Sequence, residues 1–194
     1  MEDRFLLDTL FIPAYIGLMN FVSTLFLTFS MQLAMATNQP SLTPVPYVDL
    51  SRYLGKWYEI ARFPNFFQKD CDQATAEYSL IEEGKIQVIN TCKGLKDGRL
   101  TSVTGIATVE DPVTHAKLKV NFVPSWLRWT GIGSGDYWII DLDEDYTYAV
   151  VSEPNRKYLW ILSRTATLSQ GIYNSLLNRL RDEAFDVSRL IPSR

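Results

Sequence analysis

Eight short stretches of alternating apolar and polar residues, separated by clusters of turn-forming residues, govern what this chain can fold into. They run over 56–63, 74–81, 85–90, 100–109, 116–123, 136–142, 146–152 and 158–163. Alternation with a period of two puts successive side chains on opposite faces of a strand, so each stretch reads as a strand with one buried face. The breaks carry turn chemistry: Glu83-Gly84, Lys96-Asp97-Gly98, Asp111-Pro112, a glycine-rich run over 131–135, an acidic run over 143–145 and Pro154-Asn155. The period then changes. Over 168–185, Ile172, Leu176, Leu177, Leu180 and Ala184 fall near helical spacing behind Thr167 or Ser169 as N-cap. The pattern predicts a mainly β fold, an eight-stranded antiparallel up-and-down barrel with one C-terminal α-helix packed outside, because closure removes both exposed sheet edges. A two-sheet sandwich is the alternative.

The chain ahead of the first strand is of a different kind. After Asp8 the next charged side chain is Asp49, and 9–36 is rich in Phe, Leu, Ile, Val and Met. Residues 1–36 therefore read as a signal peptide cleaved after Ala34-Met35-Ala36, or as an N-terminal membrane anchor that stays. The small-x-small end favours cleavage. A start at Glu2, Asp3 and Arg4 that is not net positive, and the length of the apolar run, favour retention, although Pro13 and a second start at Met19 weaken that objection. No cysteine follows the run, so the lipid-modified N-terminal cysteine of a bacterial lipoprotein is not expected. Either reading places the rest outside the cytosol, in the periplasm or at the outer membrane of a bacterium and otherwise in the secreted space. There Cys71 and Cys92 can oxidise. Residues 37–46, with three prolines, read as a linker, and 47–194 as the folded domain.

Composition excludes several functions. Lys and Arg total 19 against 22 Asp and Glu, so no basic field exists for nucleic acid. A hydrophobic content of 46% argues against disorder. One histidine, His115, and two cysteines do not make a zinc site, and no metal or cofactor is expected. Asp141-x-Asp143-x-Asp145 starts like a calcium loop, but Tyr146 stands where the loop needs glycine and Ser152 where it needs glutamate, so it reads as a tight acidic turn. The glycines of 131–135 lack dinucleotide spacing and lead into a strand. His115 follows Asp111-Pro112 on a connection at the closed end, too far from the mouth to serve a nucleophile, so no catalytic residue is assigned.

Three segments carry a family resemblance. Gly55-Lys56-Trp57-Tyr58-Glu59-Ile60-Ala61-Arg62 opens the domain, Asp136-Tyr137-Trp138 through Tyr148-Ala149-Val150-Val151 lies in its middle, and Trp160-Ile161-Leu162-Ser163-Arg164-Thr165 ends the strands. In this order and with a following helix they resemble the lipocalins, over nearly all of 48–191. The likeness is to the branch of bacterial lipocalin and apolipoprotein D, which Tyr78-Ser79-Leu80, Val88-Ile89-Asn90 and Phe185-Asp186-Val187 also match. The resemblance implies an eight-stranded calyx holding one lipophilic molecule.

Meander topology places residues independently of that family. Strand eight finishes where strand one begins, so Arg164 is expected over the Trp57 indole, forming with Gly55 a structural floor. The odd connections, over 64–70, 92–99, 124–135 and 153–157, rim the open end. They carry Phe66, Phe67, Trp126 and Trp129 beside Arg62, Lys69 and Arg128, read as an aromatic entrance suited to a lipid interface, or as loops folded over their own core. The two-residue period puts Tyr78, Val88, Asn90, Phe122, Tyr148 and Trp160 on the cavity wall; with Trp126 these are the expected ligand-binding residues. Cys71 and Cys92 meet at the mouth end of one hairpin and are expected to form a disulfide, two buried free thiols being the alternative. The expected function is binding and transport or storage of a small lipophilic ligand such as a fatty acid or lysophospholipid, in the cell envelope and with no catalytic step. An enzyme acting on a lipid or pigment and a structural envelope protein with a filled core are the alternatives. Peripheral membrane contact and a homodimer stay open.

Overall fold

A computed structural model describes residues 41–122 and 133–193. The leader or anchor, and Trp126, Arg128 and Trp129, lie outside them. A four-residue helix, α1 (Leu50–Tyr53), is capped by the Asp49 carboxylate, which accepts from the Ser51 backbone N–H. Strands β1 (Gly55–Arg62), β2 (Cys71–Glu82), β3 (Lys85–Gly94), β4 (Leu100–Val109), β5 (Lys117–Asn121), β6 (Ser134–Leu142), β7 (Tyr148–Ser152) and β8 (Leu159–Ser163) follow in order. Helix α2 (Gln170–Asp182) and a two-residue strand β9 (Ile191–Pro192) complete the described chain.

From β1 to β8 each strand pairs antiparallel with its sequence neighbour, and β1 closes the ring by pairing with both β2 and β8. The two pairings divide β1: Gly55 to Tyr58 face Tyr78 to Thr75, while Tyr58 to Arg62 face Ser163 to Trp160. A bulge between Glu59 and Ala61 lets β1 bend around the barrel. Where β2 leaves β1, β9 takes its place, with Ala61 opposite Pro192 and Arg62 opposite Ile191. The expected eight-stranded barrel is thus present. Neither β9 nor α1 was legible in the sequence, since two and four residues are too short to show a period.

The barrel has two apolar clusters. The inner one holds Trp57, Tyr78, Ile86, Val88, Leu118, Val120, Ile139, Ala149, Val151 and Leu162. An outer one buries Leu176 and Leu180 of α2 against Ala61, Ile140, Val150, Leu159 and Ile161. Strands β6 to β8 are therefore apolar on both faces, one lining the barrel and one covered by the helix. Ser169 caps α2, its hydroxyl accepting from the Ile172 N–H, and Arg179 ties the helix to the Asp141 carboxylate at 2.9 Å and the Tyr148 hydroxyl at 3.0 Å.

Two expectations change. The linker assigned to 37–46 is not free over its second half: Leu42 packs in the outer cluster and the Val45 N–H donates to the Ile139 carbonyl at 2.9 Å. Tyr148 points outward, toward Arg179 and α2, rather than into the barrel. Its neighbours Ala149 and Val151 hold the inner face, so the β7 register was one residue off, and on a strand apolar on both faces the alternation does not reveal which face is inner.

Cys71 and Cys92 form a disulfide. Strands β2 and β3 extend past the expected ends, so the bridge lies within the hairpin, where Ala74 faces Cys92 and Cys71 faces Gly94 across a bulge. Closing a loop of this separation, 21 residues, is worth about 3 kcal/mol in the chain-entropy account.

Candidate functional site

At the closed end, Gly55 has φ +89°, a conformation open to glycine at little cost, and a side chain there would meet the Arg164 guanidinium at 3.5 Å. That guanidinium lies 3.8 Å from the centroid of the Trp57 ring. It donates to the carbonyls of Lys56, at 3.0 Å, and Tyr146, at 3.3 Å, and to that of Arg52. Trp57 is fully buried, and its Nε1 donates to the Tyr53 carbonyl at 2.8 Å. One cation thus joins α1, β1 and the β6–β7 turn over a buried indole, a contact worth about 0.5–2 kcal/mol. His115 lies at this same closed end, its Nδ1 3.2 Å from the Val48 carbonyl.

Above Trp57 three tyrosines meet. The Tyr137 hydroxyl is 2.7 Å from that of Tyr53 and 2.9 Å from that of Tyr78. They come from α1, β2 and β6, and the pairing of Gly55 with Tyr78 sets their level near the floor. Burial first of all pushes the Tyr78 hydroxyl up to about 12. Burial, then the neighbouring phenols, raises Tyr53 and Tyr137 well above the ordinary value. All three therefore stay protonated and neutral at physiological pH.

Val88, opposite Tyr78 in the register, is buried, whereas Tyr137 at this level and Asn90, Phe122 and Trp160 face the interior and yet keep part of their surface open. The register confirms these facings: Asn90 pairs with Ala76 of the inner cluster, and Trp160 alternates with Leu159 and Ile161 of the outer one. These inward-pointing side chains are thus not fully packed against their neighbours, the condition for a ligand to contact them.

The mouth is strapped as well as framed. Glu59 and Arg62 both point inward and are buried, Arg62 Nη1 donating to Glu59 Oε1 at 2.6 Å. Arg62 Nη2 donates to the carbonyls of Gln68 at 3.0 Å and Cys71 at 2.9 Å. Gln68 in turn donates to Glu59 Oε2 at 2.7 Å and accepts from Trp160 Nε1 at 3.0 Å. The connection after β1 is thereby folded back onto the rim, while its tip stays out: Phe66 is 78% and Phe67 55% exposed. Phe67 stacks toward Trp160, with centroids 6.4 Å apart, so an aromatic path leads from rim to interior. Arg62, expected among the cations beside the mouth, is instead committed to Glu59 and two carbonyls. Its buried ion pair was missed because Glu59 and Arg62 share a face only through the bulge at Ile60.

Tyr53 and Tyr137 were also missed as interior groups. Tyr53 sits on a helix too short to detect, and Tyr137 lies on β6, whose two apolar faces hide the parity. The Asp136-Tyr137-Trp138 run was the available signal. Among the described residues no group of three His, Cys, Asp or Glu side chains gathers as metal ligands would.

With this geometry in view, the comparisons are specific. A family model described as a lipocalin-like domain matches residues 48–194. A protein of Acanthamoeba polyphaga mimivirus bearing a lipocalin name is 44% identical, covering 74% of this chain and 83% of its own length. The outer membrane lipoprotein Blc of Vibrio cholerae is 39% identical over 78% of this chain and 85% of its own. Apolipoprotein D of Macaca fascicularis is 36% identical over 73% of this chain and 74% of its own. Among solved structures, insecticyanin from the tobacco hornworm Manduca sexta superposes with a TM-score of 0.62 at 22% identity, covering 81% of this chain and 86% of that one, and supports the fold.

The tyrosine cluster predicts an alkaline limit to stability. An unfolded tyrosine releases its proton near pH 10 (about 10 for model peptides), whereas folded Tyr78 holds its proton to about 12. Stability from this source is complete below the unfolded value and falls as pH rises through the folded one. Denaturant melts from pH 9 upward should show that fall, and Tyr78→Phe should flatten it; an unchanged slope would mean that Tyr78 is not desolvated.

Proposed function

Since the chain belongs to the lipocalin family, known for binding small hydrophobic ligands, we propose that it carries or stores a lipophilic molecule, a fatty acid, lysophospholipid or similar, inside the barrel and without a catalytic step. One observation supports this above the rest: the barrel is sealed below by Trp57 and Arg164, while inward-facing Asn90, Phe122, Tyr137 and Trp160 stay reachable within it. Apolar walls with a few fixed polar groups are what such a pocket requires. Val88, Phe122 and Trp160 supply contact area, and Tyr78 and Asn90 orient the polar part. Trp126, outside the described residues, belongs to the rim in this reading.

The proposed place of action is the cell envelope or the secreted space. The uncharged stretch over 9–36, the disulfide and the outer membrane name of the Vibrio cholerae relative support it. At the membrane the exposed rings of Phe66 and Phe67, with Leu95 on the adjoining connection and Leu100 at the start of β4, form an apolar rim on which Lys69, Lys96 and Arg99 outnumber Asp70 and Asp97, a small positive excess suited to an anionic bilayer.

Organic extraction of the purified protein followed by mass spectrometry tests the carrier reading. The expected result is a bound lipid that remains chemically unchanged on incubation. An accumulating product would instead support an enzyme, and a barrel that neither yields nor accepts lipid would support a filled structural core. For the rim, Phe66→Ser with Phe67→Ser should slow fatty-acid uptake from anionic vesicles more than uptake of the same acid from dilute solution. Equal slowing from both sources would make these rings a lid, and no slowing would make them ordinary loop residues.

A further inference from the structure

The hydroxyl groups near the barrel floor contain more hydrogens than their mutual contacts can use. Tyr137 Oη lies 2.7 Å from Tyr53 Oη and 2.9 Å from Tyr78 Oη. A phenol carries one O–H and accepts on its lone pairs. Three hydroxyls supply three hydrogens, and two contacts consume two, whichever way each bond runs. One O–H therefore has no acceptor among the described residues, although Tyr53 is 3% and Tyr78 5% exposed. A buried donor left unused is destabilising, so a site that keeps one is set up for an acceptor. Tyr137, in the centre of the trio, is itself only partly covered, so a ligand that reaches its ring lies beside all three hydroxyls, whichever of them keeps the spare hydrogen.

From this we propose that Tyr53, Tyr78 and Tyr137 form a donor subsite for an uncharged oxygen, a hydroxyl or a carbonyl, which places the ligand polar end down with its chain toward the mouth. The inference rests on the carrier reading and extends it from lipophilic ligands in general to the head group and its orientation. The charge balance selects the class. Among the described residues, the two guanidiniums that approach the interior are engaged, Arg62 by Glu59 and Arg164 by the Trp57 ring and backbone carbonyls. A carboxylate at this depth would meet one donor hydrogen and, among the described residues, no free cation, and an unpaired buried charge is costly, so a fatty acid in the same barrel would keep its carboxylate away from the trio. A neutral hydroxyl or carbonyl takes the same hydrogen without that cost, and a hydroxyl can donate back to a phenol lone pair. The phenols resist ionisation to about 12 at Tyr78, so the donor is present throughout the physiological range.

The test compares 1-dodecanol with dodecane, each displacing anilinonaphthalene sulfonate from the wild-type chain and from Tyr53→Phe/Tyr78→Phe/Tyr137→Phe. Removing all three hydroxyls leaves no orphaned partner, so the variant should keep its melting temperature. It should lose about tenfold in affinity for dodecanol, the worth of one hydrogen bond, and nothing for dodecane. Equal change for both ligands, or none for either, would overturn the subsite and leave the carrier intact. If neither ligand displaces the probe from the wild type, the carrier reading itself fails. Should the variant not fold, 2-dodecanone labelled with carbon-13 at its carbonyl decides the matter in the wild type. A C=O stretch below its position in alkane supports the donor, and one at the alkane position overturns it.

Discussion

A sheet with apolar side chains on its inner face has to find partners for its two edge strands, and here both edges are resolved through β1. Its first half pairs with β2 and its second with β8, the change of partner falling at Tyr58 and followed by the bulge before Ala61. Every inward-facing position depends on that closure. The Arg164 guanidinium strengthens it at the point where β1 begins, because the end of β8, the β6–β7 turn and α1 all meet there over Trp57. The floor and the barrel are in this sense one construction. Without the closed ring Trp57 would have nothing to cover, and without the cation the ring would have an open lower end.

The two ends use polar groups differently. The floor holds one cation over an indole, partly open to water, with its donors spent on carbonyls. At the mouth a buried ion pair, Glu59 with Arg62, is satisfied on every side by Gln68, Cys71 and Ser193. Such a pair contributes little net stability, since desolvation offsets its attraction, but it fixes geometry. Here it orients Gln68, which also receives the Trp160 N–H, so the first connection has one seat on the rim. Phe66 and Phe67 are carried outward by that seat. The arrangement leaves an apolar tip in water and a route from tip to interior along Phe67 and Trp160.

The sequence was legible wherever one face of a strand met water. The outlines of β1, β3, β4 and α2 follow from alternation, from Gly84 at a tight turn and from Ser169 as a cap. Pairing of Cys71 with Cys92 follows from the hairpin between them. It was illegible where both faces are apolar: Ala149 and Val151 line the barrel while Tyr148 and Val150 lie under α2, and nothing in the run Tyr-Ala-Val-Val tells the faces apart. Short elements and bulges hid the rest. Tyr53 and the Glu59–Arg62 pair depend on α1 and on the Ile60 bulge, which have no period to detect. The interior polar groups were therefore the least visible part of the barrel, although Val88, Phe122 and Trp160 do face its interior.

The central claim, that the barrel interior is the ligand site, is tested most directly by a crystal structure of the chain with 12-bromododecanoic acid, located by the anomalous signal of bromine. The account predicts a single bromine peak inside the barrel, within the space bounded by Val88, Phe122, Tyr137 and Trp160. A peak on the outer face, beneath α2 or between molecules only, in crystals saturated with the acid, would contradict it.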